Sequence, residues 1–195
     1  MSCRAIETIV AIMQVLSTYR FTVEKYHRLG EAGILGEDDR VELLNGQLMV
    51  MPPFGGAHRS LVESLTAIFA SRIGENRFRL GIRKAVSLDA HSEPQPDVVL
   101  YKSSVRGWYP GPDEIFLMVE VADVSLSYEL GVKLEAYARG MIREVWVMDV
   151  VLPRVIIHRN PAQNRYRSIK ELTGSELLTV DAFPDIAFPV STVLA

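Results

Sequence analysis

Two carboxylates lie where the surrounding sequence makes a charge costly unless it is paired or binds a metal. Asp97 directly follows a proline and opens a short apolar strand, and Glu120 lies near the end of the apolar strand Ile115 to Val121. If these strands are neighbours, both carboxylates reach one point and can hold Mg²⁺. The ion would lower the pKa of a bound water and stabilise charge on a phosphate. The alternative is a turn cap for Asp97 and an exposed strand end for Glu120.

A lysine lies on the helix predicted after the second strand. Glu129 and Lys133 are four residues apart, and Tyr137 follows one turn later on the same face. Such a pair is commonly a solvated salt bridge that contributes only tenths of a kcal/mol. The alternative is that Lys133 points back at the carboxylates. Its ammonium would then orient the attacking water or stabilise the charge on the phosphate in the transition state.

The apolar patterns predict an α/β fold in which helices flank a mixed central sheet. Thr22 is the expected N-cap of a helix, and the Asn45-Gly46 pair predicts a β-hairpin, because both turn positions need positive φ. The predicted helices are Thr22–Ala32, His58–Ile73 and Leu126–Arg139. The predicted strands are the hairpin within Val41–Val50, then Leu80–Leu88, Asp97–Tyr101, Ile115–Val121, Glu144–Val150 and Val155–His158.

The length favours a single domain, and the net charge indicates that the protein does not bind nucleic acid through an overall positive charge. The 195 residues carry a formal net charge of −3 and one cysteine, so no intrachain disulfide is possible. The apolar run Ile9 to Leu16 is too short for a membrane span and predicts an amphipathic helix over residues 1–18, followed by one domain over residues 19–195. Without another long apolar run, the expected location is the cytoplasm.

A local group of basic residues is the candidate nucleic-acid contact. Its members are Arg72, Arg77, Arg79, Arg83 and Lys84, with Arg59 expected nearby. Contacts with phosphates supply most of the affinity for DNA, and the alternative for such a group is a solvated basic face. Trp108 and Tyr109 lie in the loop between the two carboxylate strands. They could stack on a base or pack in an interface.

Several runs together resemble the putative restriction endonuclease family of the PD-(D/E)XK superfamily, long classed as a domain of unknown function and expanded in cyanobacteria. The resemblance extends from about Tyr19 to the C-terminus, and each run is weak by itself. The runs are Arg40–Gly46, Met51–His58, Ser92–Asp97, Val119–Val121, Tyr128–Gly140 and Glu144–Asp149. The resemblance implies a restriction-endonuclease-like αβββαβ core preceded by the helix and the hairpin.

The resemblance also implies roles for individual residues. Pro96-Asp97 matches the "PD" of the motif and Glu120 its "(D/E)", but Ala122 replaces the usual lysine. The family pattern places a lysine on the next helix, which Lys133 matches. Glu129 stands where aspartate is more common.

Two further residues match family positions. Glu42 is implied as a third carboxylate ligand of the metal. His58 is implied as a phosphate contact or proton shuttle, against a simpler role in capping or packing.

These observations favour a Mg²⁺- or Mn²⁺-dependent DNA endonuclease. The resemblance to enzymes that cut both strands implies a homodimer. A non-catalytic DNA-binding or oligomerisation module on the same fold is the alternative, motivated by the acidic balance and the altered motif. Hydrolysis of another phosphate ester is a third reading, because the motif chemistry does not identify the leaving group.

Overall fold

A computed structural model of the protein describes residues 18–36, 38–51, 53, 55–72, 77–122 and 128–194, with the side chains of residues 128–130 excepted. Apart from Thr18, the helix predicted for residues 1–18 lies outside the described residues. The helices are α1 (Val23–Glu31), α2 (Gly56–Ala70) and α3 (Tyr128–Arg139), with short 3-10 turns at Pro112–Glu114 and Val190–Thr192. As predicted, Thr22 caps α1, accepting a hydrogen bond of 3.3 Å from the Lys25 N–H.

A six-stranded mixed sheet forms the centre of the fold. Its strands, in spatial order, are β3 (Arg79–Ile82), β4 (Val98–Tyr101), β5 (Ile115–Ala122), β6 (Glu144–Asp149), β7 (Arg154–Ala162) and β8 (Arg165–Thr173). Strands β5 and β6 are parallel and are connected through α3, whereas the other neighbours are antiparallel. This arrangement confirms the predicted fold class.

Each face of the sheet is covered, which explains why β4 and β5 are almost continuously apolar. Residues of α2 such as Leu65 and Phe69 pack on the face that carries Val98 and Val119. Side chains of α3, including Tyr137, pack on the other face. No helix within the described parts of the chain is long and apolar enough to cross a membrane.

A β-hairpin precedes α2, as the Asn-Gly pair predicts. It joins β1 (Val41–Leu44) to β2 (Gln47–Val50), and both turn residues have positive φ, 54° for Asn45 and 78° for Gly46. The N-terminal segment crosses this turn: the Phe21 N–H donates to Gly46 O at 2.9 Å. A Cβ added to Gly46 would lie 2.6 Å from Arg20 Cβ, so glycine also permits this close approach.

Two regions differ from the sequence-based expectations. The strand predicted to run to Leu88 ends at Ile82, because Arg83 adopts a positive φ of 48° and the chain turns away. Beyond the last strand that was predicted from the sequence, the chain forms the nine-residue edge strand β8. It then forms a hairpin of β9 (Leu177–Val180) and β10 (Phe183–Pro189) that packs on the α2 face.

Candidate active site

The register of β4 and β5 brings Asp97 and Glu120 together. Val98 pairs with Val119 in this antiparallel ladder, so one residue further along Asp97 lies across from Glu120. Residues directly opposite each other in an antiparallel pair point to the same face. Both side chains are buried, with 5% of each residue exposed. The juxtaposition expected from the sequence is therefore present in the structure.

Asp97 is held by two groups on its Oδ2 atom. The Val121 N–H donates to this oxygen at 2.9 Å, and His58 Nε2 lies 3.0 Å from it. His58 is buried in the first turn of α2, so the helix that covers one face of the sheet also contacts the carboxylate. His58 thus does more than pack against the loop, because it fixes the orientation of Asp97.

Lys133 points into the site and joins two carboxylates. Its Nζ lies 3.1 Å from Glu42 Oε1 and 3.3 and 3.4 Å from the two oxygens of Glu120. Glu42 comes from β1, and its Oε2 accepts a hydrogen bond of 3.0 Å from the Gln95 N–H. Tyr137, one turn after Lys133, donates its hydroxyl to Glu120 Oε1. Of the two readings of Lys133, the structure supports the one in which it faces the carboxylates.

Burial and the attraction between opposite charges act in opposite directions on the pKa values of Glu120 and Lys133. Burial raises the pKa of Glu120 to about 7, and Asp97 and Glu42 add to the rise while Lys133 and the Tyr137 hydrogen bond oppose it. Burial lowers the pKa of Lys133, but the Glu120 and Glu42 carboxylates outweigh it and the net pKa is raised. Lys133 is therefore a stable ammonium at neutral pH, able to donate hydrogen bonds and unable to act as a base.

The donor set favours a hard divalent ion, although the described residues hold no group of three or more His, Cys, Asp or Glu arranged as metal ligands. Asp97 and Glu120 supply carboxylate oxygens, which suit Mg²⁺, an ion commonly held by one or two carboxylates and several waters. Glu42 is already bonded through both oxygens, to Lys133 and to the Gln95 N–H. Glu120 is likewise bonded through both oxygens, to Lys133 and to Tyr137, so the predicted three-carboxylate set stays a prediction.

The structure separates the predicted basic group into two parts. Arg83 and Lys84 lie just beyond the end of β3 that faces Asp97, and the Arg83 N–H donates to Asp97 O at 3.1 Å. Arg72, Arg77 and Arg79 lie near the opposite end of the strand. There Arg77 makes two 2.7 Å hydrogen bonds to Asp185, and Arg79 donates to Val105 O.

Three arginines from separate parts of the chain, Arg83, Arg40 and Arg59, lie near the site. Burial lowers the pKa of the Arg83 guanidinium, and the charges of Arg40 and Arg59 lower it further, while Asp97 opposes them. Arg40 precedes β1 and Arg59 follows His58 on α2. The positive charge beside the carboxylates is thus assembled from three elements, and only Arg83 and Arg59 had been singled out in the sequence.

In the sequence, Tyr137 shares a helix face with Lys133 but no contact is predicted for it, and Arg40 is not singled out. The spacing of Tyr137 from Lys133 places both on one face of α3, which is a signal that could have identified the Tyr137 contact with Glu120. No local pattern distinguishes Arg40 from any surface arginine, because its neighbours are distant in sequence. The side chain of Glu129 is outside the described residues, so its predicted role stays a prediction.

The fold is shared with a solved α/β protein. A crystal structure described as a putative nuclease belonging to DUF820 from Anabaena variabilis is similar to the chain, with a TM-score of 0.71 and 14% sequence identity. The match covers 89% of this chain and 97% of that one, and at this identity it establishes the fold alone.

The sequence itself identifies the family. The profile of the family Uma2, described as "Putative restriction endonuclease", matches residues 23–191. The chain therefore belongs to this family, as its motifs suggested. No protein with a curated description matches the sequence significantly.

Proposed function

We propose that this protein is a divalent-metal-dependent endonuclease that hydrolyses phosphodiester bonds in DNA. The observation that carries the proposal is the meeting of Asp97, Glu120 and the Lys133 ammonium in one buried site. Membership of the restriction endonuclease family supports the same reaction class. We also propose that the protein belongs to the PD-(D/E)XK superfamily. In this proposal Lys133 takes the place of the lysine that the motif has at position 122.

Asp97 and Glu120 are the proposed ligands of Mg²⁺ or Mn²⁺. When bound, the ion supplies a water of lowered pKa and offsets negative charge on the phosphate. We assign Glu42 to positioning Lys133, because its Oε1 makes the closest carboxylate contact with the ammonium, at 3.1 Å, while its Oε2 is held by the Gln95 N–H. His58 holds Oδ2 of Asp97, which leaves the carboxylate in a fixed orientation.

Lys133 is the proposed electrostatic partner of the reacting phosphate. In hydrolysis a water oxygen bonds to phosphorus while the bond from phosphorus to the sugar oxygen breaks, and a proton leaves the water and one reaches the sugar oxygen. The raised pKa of Lys133 keeps it protonated, so it donates to the water or to a phosphate oxygen and does not accept the proton. Its two carboxylate contacts hold the ammonium in place before substrate binds.

Plasmid nicking tests the catalytic assignment. We expect the wild-type protein to nick supercoiled DNA with Mg²⁺ or Mn²⁺, and Asp97→Asn and Glu120→Gln to lose at least about a hundredfold in rate. Glu171→Gln is the matched control, because Glu171 is an exposed carboxylate on β8 and should leave the rate unchanged. DNA binding without nicking under either metal would contradict the enzyme and favour a non-catalytic DNA-binding module.

Metal binding is tested separately by titrating Mn²⁺ into the protein in a calorimeter. Asp97→Asn should weaken binding at least about tenfold, because it removes one of two anionic ligands. Glu42→Gln should weaken it much less if Glu42 is a positioning residue. Equal affinity for the wild-type protein and Asp97→Asn would remove Asp97 from the metal site.

The arginines beside the carboxylates are the proposed phosphate contacts. Arg83→Ala should weaken binding to DNA of any sequence and reduce the slope of log affinity against log salt by about one. Arg77→Ala is the control, because Arg77 lies near the far end of β3 and is bonded to Asp185. An equal change in both variants would contradict the assignment.

A homodimer is proposed as well, from the need of such enzymes to cut two strands. Sedimentation of the protein with and without duplex DNA tests it. A monomer under both conditions would refute the dimer and leave the assignment of the catalytic residues intact.

A further inference from the structure

A cavity of about 620 Å³ lies beside the carboxylate site. Its lining comes from α1, from the start of β1, from residues 83–95 and from the loop before β5, and it includes His27, Arg40, Arg83, Glu93, Gln95 and Tyr109. The volume falls in the range of about 300–1,000 Å³ that small-molecule sites occupy. None of the proposed catalytic side chains lines it, so the cavity is distinct from the site already described.

The cavity and the carboxylate site share a wall. Gln95 lines the cavity, and its N–H donates to Oε2 of Glu42, the partner of Lys133. Arg83 also lines the cavity, and its N–H donates to Asp97 O. A molecule in the cavity would therefore be separated from Glu42 and Asp97 of the proposed reaction centre by one intervening residue, Gln95 or Arg83.

One wall of the cavity is aromatic. The rings of Tyr109 and His27 stack with centroids 5.2 Å apart and an interplanar angle of 27°. Tyr109 is 43% exposed, so part of its ring is accessible. Accessible aromatic faces bind nucleobases by stacking, with little dependence on which base is present.

A buried carboxylate stands behind the aromatic wall. Glu93 is 3% exposed, and its two oxygens lie 2.8 and 3.0 Å from His27 Nε2. This pair fixes the plane of the His27 ring.

The cavity lining combines two arginines with the carboxylates of Glu31 and Asp39. Arg40 and Arg83 both line it, and each guanidinium can bond two oxygens of a phosphate. An aromatic wall and two guanidinium groups match the base and the phosphate of one nucleotide.

We infer that this cavity holds a single unpaired nucleotide of the nucleic-acid substrate, with its base against Tyr109 and its phosphate toward Arg40 and Arg83. The inference rests on the proposed nuclease function and narrows its substrate. A base paired in a duplex cannot enter such a cavity, and the nucleotide inferred here is one that is already unpaired in the substrate. The preferred DNA therefore has an unpaired nucleotide next to the bond that is cut.

Fluorescence anisotropy with labelled oligonucleotides tests the inference in the absence of metal. Tyr109→Ala should weaken binding to single-stranded or gapped DNA by about 5- to 150-fold, which corresponds to the loss of one stacked base, and change duplex binding by less than about twofold. Tyr109→Phe keeps the ring and should bind like the wild-type protein. Trp108→Ala is the matched control, because Trp108 is 84% exposed and does not line the cavity.

Unchanged binding by Tyr109→Ala would overturn the inference, as would an equal loss for Trp108→Ala or for duplex DNA. Thermal unfolding of each variant shows whether the fold is retained. If Tyr109→Ala proves unstable, Arg40→Gln replaces it, and the same preferential loss on single-stranded DNA is expected.

Kinetics distinguish this inference from the proposed catalytic function. On gapped DNA, Tyr109→Ala should raise KM at least about fivefold and leave kcat nearly unchanged, because the base contact is remote from the reacting phosphate. If the protein cleaves DNA and KM does not change, the cavity inference fails and the nuclease stands. If the protein cleaves nothing but Tyr109→Ala shows the selective loss of binding, the catalytic proposal fails and the nucleotide site stands.

Discussion

Replacing Lys133 with methionine should destabilise the protein substantially, because it leaves two buried carboxylates without their cation. The Nζ atom lies 3.1 Å from Glu42 and 3.3 Å from Glu120, so each attraction is about 5 kcal/mol at an effective dielectric constant of about 20. Desolvation of the ammonium offsets much of this, and removing one partner of a buried ion pair typically destabilises by about 3–5 kcal/mol. For a chain of this size that lowers Tm by about 6–20 °C.

Urea unfolding without metal, followed by circular dichroism, measures the loss. Lys170→Met is the matched control, because Lys170 is exposed on the edge strand β8 and should change stability by less than about 0.5 kcal/mol. Adding Glu42→Gln to Lys133→Met should recover part of the loss, because it removes one of the two repelling charges. A loss below about 1 kcal/mol for Lys133→Met, or no recovery in the double variant, would refute the electrostatic reasoning.

Two further predictions concern stability alone. Gly46→Ala should destabilise the protein by at least about 1–2 kcal/mol, since φ is 78° and the new Cβ would meet Arg20. Gly30 lies in α1, and a Cβ added there would have no atom within 4 Å, so Gly30→Ala should be neutral or stabilising. Equal urea midpoints for the two alanine variants would contradict this. Burial lowers the pKa of His158, so the unfolded chain binds more protons below pH 6.5 and stability is lost as the pH falls through and below that value. The free energy of unfolding of His158→Phe should therefore fall less as the pH is lowered through this range. If the slope of the unfolding free energy against pH is identical to that of the wild-type protein, His158 is not a source of the pH dependence.

The parts of the fold with strong local signals could be predicted from the sequence. The Asn45-Gly46 turn and the two apolar strands β4 and β5 are each specified within a few residues. Because neighbouring apolar strands tend to pair, the meeting of Asp97 and Glu120 followed from the same signals. By contrast, the positive φ of Arg83 that ends β3 has no counterpart in residue type, so the alternating pattern overestimated that strand.

The remainder of the site depends on contacts between distant parts of the chain. Lys133 meets Glu42 only because the hairpin and α3 lie on the same face of the sheet. Arg40 and the cavity around His27 are likewise assembled from elements that no local pattern links. The position of Lys133 in the sequence is compatible with a side chain that faces solvent and with one that faces the site. The packing of α3 on the sheet determines which of these two orientations the side chain adopts.

If Lys133 acts as the lysine of the motif, as proposed, the arrangement involves a second position, Ala122. Ala122 lies two residues after Glu120 on β5, so its side chain points to the same face, and with Val147 it packs against Leu134 of α3. A lysine at position 122 would need the volume that the helix now fills. The proposed lysine on α3 and the small residue on β5 therefore depend on each other.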